Sequence, residues 1–99
     1  MALAEKYVYL FKKECFDLSK IVLHNLNLLK ENPNDYYIIE KIIQAADTMI
    51  GDSRFINHKE LENASMLLVK TFNQKENVLE KSEIEFFINL FSTIKKDQL

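Results

Sequence analysis

Ala45-Ala46-Asp47-Thr48-Met49-Ile50-Gly51-Asp52-Ser53-Arg54-Phe55 contains the only glycine of a 99-residue chain. Glycine in a helix interior costs about 1 kcal/mol relative to alanine, so its place inside a helical pattern calls for a reason. Gly51 follows Asp47 by four residues and shares its face, and the missing side chain leaves the surface around Asp47 open to close approach. Just upstream, Ile39, Ile42, Ile43, Ala46 and Ile50 recur at helical spacing and trace the inner face of the same helix.

Three more helices flank this one. Toward the N-terminus, Val8, Phe11, Cys15, Leu18, Val22, Leu26 and Leu29 recur three and four apart and predict a long helix over about 3–30. It ends at Glu31-Asn32-Pro33-Asn34-Asp35, where Pro33 excludes helical geometry from the residue before it and Asn34 can cap the next helix. Toward the C-terminus, Asn57-His58-Lys59-Glu60 reads as an approximate capping box for a third helix carrying Leu61, Ala64, Leu67, Leu68 and Phe72. A polar turn over 73–76 follows. Ser82-Glu83-Ile84-Glu85 reads as a second capping box, and Ile84, Phe87, Ile88, Phe91 and Ile94 give the last helix its apolar face. Short connections favour antiparallel neighbours, so the expected fold is all-α: an up-down-up-down four-helix bundle formed by residues 1–99 as one domain.

Composition narrows the function. Hydrophobic residues make up 47% and charged residues 28%, with one Pro and one Cys, which sets the chain apart from disordered and disulfide-rich classes. A net charge of -2 offers no field to gather phosphate backbones, so nucleic acid is not an expected partner. No apolar run reaches the ~18 residues of a membrane span, and Cys15 alone forms no intramolecular disulfide. A soluble, cytoplasmic protein is expected. Neither His24 nor His58 follows a Glu by three residues, the spacing of metal sites in bundles, and one Cys with two scattered His is too few for zinc. No metal and no cofactor is expected. The tyrosines Tyr7, Tyr9, Tyr36 and Tyr37 read as core and boundary filling, Tyr36 and Tyr37 also as a possible interface rim.

The segment 45–53 resembles the histidine-phosphotransfer family, and within it the N-terminal phosphotransfer domain of chemotaxis kinases. The family pattern small-small-His-Thr/Ser-apolar-Lys-Gly-small/polar-small is matched by Ala45-Ala46-Asp47-Thr48-Met49-Ile50-Gly51-Asp52-Ser53 except at two positions. Asp47 stands where the phospho-accepting His is expected, and Ile50 where a Lys lies beside the phosphoryl group. The likeness extends to a long first helix with Phe11 and Glu14, the Asn32-Pro33-Asn34 break, a third helix near Leu61 and Ala64, and a last helix with Phe87, Leu90 and Phe91.

In that family an exposed imidazole is the nucleophile, and the partner domain supplies metal and acidic pocket. A carboxylate at position 47 takes this part poorly, and Ile50 removes the charge that would stabilise an incoming phosphoryl group. The resemblance therefore implies a degenerate, non-enzymatic member: a monomeric module docking a receiver domain or a histidine kinase through Ile43, Gln44, Asp47, Ile50, Gly51 and Arg54. Ile50 fits either the inner stripe or this patch; Arg54 fits solvent or an ion pair with Asp47 or Asp52. The competing expectations are a phosphocarrier using His24, His58 or Asp47, and a bundle that oligomerises through an apolar face.

Overall fold

The structure is a computed structural model that describes residues 3–76 and 78–99, so residues 1, 2 and 77 of the expected domain lie outside the described residues. It is all-helical: α1 (Leu3–Glu31), α2 (Tyr36–Phe55), α3 (Lys59–Gln74) and α4 (Lys81–Gln98). At about 1.5 Å per residue the 29 residues of α1 make a rod of roughly 43 Å, which sets the 46 Å long dimension of the molecule. α1 packs on α2 and α4, and α2 packs on α3; the contact between α3 and α4 is the slightest. No described helix is long and apolar enough to cross a membrane.

Cross-helix contacts fix the directions. Phe11 packs against Phe55 with ring centroids 4.6 Å apart and planes tilted by 48°, and Ser19 Oγ donates to Met49 Sδ at 3.4 Å, so positions on α2 fall as those on α1 rise. Gln98 Nε2 donates to Glu60 Oε2 at 2.7 Å, joining the end of α4 to the start of α3. The expected antiparallel bundle is what forms.

The core gathers Cys15, Val22, Leu26 and Leu29 of α1 with Ile42 and Met49 of α2, Leu68 and Phe72 of α3, and Phe87, Phe91 and Ile94 of α4. The stripes differ from expectation at their edges. Val8 and Leu67 are exposed, and Ile43, Ile50 and Ile88 are half-buried. On α2 the buried arc turns toward Ile38, Ala45, Met49, Asp52 and Ser53. All four tyrosines are exposed rather than core-filling.

Three caps sit one or two residues from their expected places. Asp35, not Asn34, caps α2: its Oδ1 accepts from the N–H groups of Tyr37 (3.0 Å) and Ile38 (3.2 Å). Asn57 closes α2 rather than opening α3. It adopts a left-handed φ of 58°, donates from its N–H to Arg54 O, and is followed by a His58 N–H to Ser53 O bond, the paired pattern of a Schellman motif with Asn in the usual glycine place. His58 then caps α3, its Nδ1 accepting from Leu61 N–H at 3.1 Å. At α4 the Glu83 side chain accepts from Glu80 N–H at 2.9 Å, so the box starts at Glu80 and not at Ser82.

The cap assignment is directly measurable. Asp35→Ala strips two N–H partners from α2 and is expected to cost about 1 kcal/mol in urea denaturation, whereas Asn34→Ala should stay within a few tenths. Equal losses at both positions would contradict it.

Candidate functional site

α2 carries the core on one side and Gln44, Asp47 and Gly51 on the other. The buried Ile38, Ile42, Ala45 and Met49 face α1 and the interior, so the residues a turn's fraction away (Glu40, Gln44, Asp47 and Gly51) form one exposed strip. Ile43 and Ile50 flank this strip, both half-buried, and Ile43 packs on the edge of the core. Thr48 Oγ1 donates to Gln44 O at 3.1 Å, satisfying the hydroxyl within its own helix. Of the six residues expected to dock a partner, Ile43, Gln44, Asp47, Ile50 and Gly51 thus share one face.

Asp47 is exposed and makes no ion pair among the described residues. A Cβ built on Gly51 would meet nothing within 4 Å. The glycine is therefore not needed by the chain's own packing, and its φ is not in the left-handed region. What it leaves is an uncovered stretch of helix backbone beside Asp47.

Arg54, at the end of the strip, pairs with neither Asp47 nor Asp52. Its Nε donates to Glu62 Oε2 of α3 at 2.8 Å, with Lys59 Nζ 3.6 Å from the other carboxylate oxygen. The Arg54 hydrogen bond holds the Glu62 carboxyl below the usual range against the opposing effect of its burial, with Lys59 assisting. Arg54 ties α2 to α3, with its side chain still largely open to solvent.

Sequence reading missed the acid beneath the strip. Asp52 follows Met49 by three residues and falls in the buried arc; its Oδ2 receives no bond from an N–H or hydroxyl donor among the described residues. Burial foremost, then a hydrogen bond and the charge of Glu14 on α1, push its carboxyl up to about 7. Burial, with Asp52 and Glu14 beyond it, pushes the neighbouring Cys15 thiol up to about 12. Cys15 is thus a protonated, fully buried thiol at neutral pH and no nucleophile. The signal for Asp52 was present in the helical period: it lies seven residues after Ala45, on the same inward arc.

The two histidines have different surroundings. His58 is half-buried with Nδ1 occupied in its cap. His24 is exposed and lines a groove between α1 and α2 with Lys20 and Lys41. Tyr37, on the same face of α2 as Lys41, lies under the Lys41 ammonium at 4.4 Å. Among the described residues no three His, Cys, Asp or Glu gather as a metal site. Comparison of the chain with protein-family models, curated proteins and solved structures finds no match.

The Asp52 carboxyl sets a pH dependence. Between its ordinary value of 3.8 and about 7 the folded chain holds a proton that the unfolded chain has released, so stability is fullest below that range and falls as pH rises through it. Asp52→Asn is expected to flatten this decline and to be the more stable form at pH 8 by about 1–2 kcal/mol, the full shift being discounted because water reaches the exposed Glu14. Urea denaturation at pH 5 and pH 8 checks this; parallel pH profiles for the two proteins would contradict it.

Proposed function

We propose that this chain is a degenerate histidine-phosphotransfer module that binds a receiver domain or a histidine kinase through the exposed strip of α2 and accepts no phosphate at Asp47. The observation that carries this reading is Gly51: a helix-interior glycine with open space around its Cβ position, one turn from an exposed Asp47 that makes no ion pair among the described residues. A residue that weakens its helix by about 1 kcal/mol without serving internal packing fits a surface that something else must approach. Gln44 and Asp47 supply polar contacts on that strip, and half-buried Ile43 and Ile50 supply an apolar margin, the mix of a moderate docking surface.

The chemistry supports binding over transfer. Asp47 makes no ion pair among the described residues, Ile50 brings no charge and Arg54 is engaged with Glu62, so a developing phosphoryl charge would find little stabilisation beside Asp47. On this reading the protein acts as a cytoplasmic monomer, competing with a true phosphotransfer partner or bridging two signalling domains. A net charge of -2 gives it no hold on nucleic acid.

Gly51 also provides the test. Gly51→Ala should raise stability by about 1 kcal/mol, and Gly51→Leu should leave the fold intact because the site is open. In amide NMR titrations with the organism's receiver and kinase domains, the unaltered chain should show shifts centred on Gln44, Asp47 and Gly51. Gly51→Leu should abolish them. Absence of shifts in the unaltered chain at millimolar partner concentration, or identical binding by Gly51→Leu, would overturn the reading.

A further inference from the structure

Tyr9, Lys12, Lys13, Phe16 and Lys20 follow one another three and four residues apart along one face of α1, where Lys95 and Leu99 reach them from the end of α4. Tyr9, Lys12, Lys13, Phe16 and Leu99 line a hollow of about 390 Å³ on this seam, within the size range of ligand sites. Phe16 forms part of its wall and holds two further ammoniums beside it: Lys20 Nζ lies 5.5 Å and Lys95 Nζ 5.2 Å from the Phe16 centroid. Four cations thus flank one half-buried ring in a chain of net charge -2.

Only one of the four is paired. Lys13 Nζ lies 3.5 Å from Asp17, whereas Lys12, Lys20 and Lys95 have no carboxylate partner among the described residues. A ring attracts an ammonium but cancels none of its charge, so Lys20 and Lys95 repel each other beside Phe16 and keep N–H groups free to donate. Apolar surface is left wet at the same place, because Tyr9 is largely exposed and Leu99 only half-buried around the hollow. Unmatched positive charge and uncovered apolar surface therefore coincide on one short seam.

We propose that the α1–α4 seam docks an acidic segment of a partner protein, one apolar side chain seated between Tyr9, Phe16 and Leu99 and its neighbouring carboxylates on Lys12, Lys20 and Lys95. Such a segment supplies both things the seam lacks, and its charges are spread along a chain as the ammoniums are spread around the ring. A membrane surface fits less well, since interfacial binding buries a protruding apolar face and this one is hollow. A nucleic-acid strand, charged along its whole length, calls for a longer row of cations than one ring gathers. The seam is separate from the α2 strip, and the proposal does not rest on receiver docking.

The test is an amide NMR titration of the full chain with a blocked seven-residue peptide carrying one central leucine among six glutamates. Beside it run the same peptide with a central glycine, the leucine peptide with glutamines for glutamates, an oligothymidylate and phosphatidylglycerol vesicles. The acidic leucine peptide is expected to shift Tyr9, Lys12, Phe16 and Lys95, to bind at least tenfold tighter than the glycine and glutamine peptides, and to weaken as salt is raised. Lys12→Glu with Lys20→Glu should weaken it at least tenfold at an unchanged melting temperature. Tyr9→Ala should weaken the leucine peptide and leave the glycine peptide unchanged, and Gly51→Leu should affect neither. Equal affinity for the glycine or glutamine peptide, unchanged affinity in the lysine variant, no shifts on the seam at 5 mM peptide, or tighter binding to the oligothymidylate or the vesicles would overturn the proposal.

Discussion

The antiparallel pairing of α1 with α2 is the contact on which everything else is hung. α1 is the spine: Cys15, Ser19, Val22, Leu26 and Leu29 are buried along it, and Met49 of α2 meets Ser19 in its middle. α4 reaches the core through α1, and α3 reaches it through α2, while α3 and α4 touch each other least. A core truncation on this seam, such as Leu26→Ala, would therefore disturb more than its own cavity. Both the exposed strip and the groove follow from the same packing. With one arc of α2 committed to α1 and α3, the opposite arc must face solvent, and the line where α2 leaves α1 becomes the groove.

That geometry explains the contrast between two aspartates five residues apart. Asp47 falls on the outer strip, exposed to solvent. Asp52 falls on the inner arc, where desolvation and Glu14 keep a proton on it into the neutral range. The rotation of one helix thus separates an acid available to a partner from an acid that tunes stability. Ile50 sits between these environments, half-buried, which resolves neither wholly into core nor wholly into patch a residue whose spacing fits both.

Four helices, their order and most of the core were legible in the sequence, because stripes such as Val22, Leu26, Leu29 and Phe87, Phe91, Ile94 leave one period and one face. Stripe edges were not. Val8 continues the spacing of α1 but lies exposed near its N-terminal end, and Leu67 lies on the flank of α3 turned from the core. Caps were shifted for a related reason: Asn34 beside Asp35 and Asn57 beside His58 offer adjacent capping groups, and the backbone path through the turn decides between them. Asn57 takes a left-handed φ that closes α2, which leaves His58 the cap of α3. The outward strip was legible through Gly51. The groove was not, because its lining comes from two helices that must first be aligned, and Arg54 found its partner, Glu62, on a helix that no local spacing could indicate.

The central claim is that a phosphotransfer frame survives around a lost nucleophile, and restoring the nucleophile tests it most directly. Asp47→His combined with Ile50→Lys places the residues of the phosphotransfer pattern at an exposed and a half-buried position beside the open Gly51. Incubated with an active sensor kinase, a receiver domain of the same organism and labelled ATP, this double variant is predicted to become labelled while the unaltered chain does not. Labelling of the unaltered chain would contradict the account by showing transfer through another residue. Failure of the variant to take label, in a mixture where a working phosphotransfer protein does, would reduce the likeness to architecture alone.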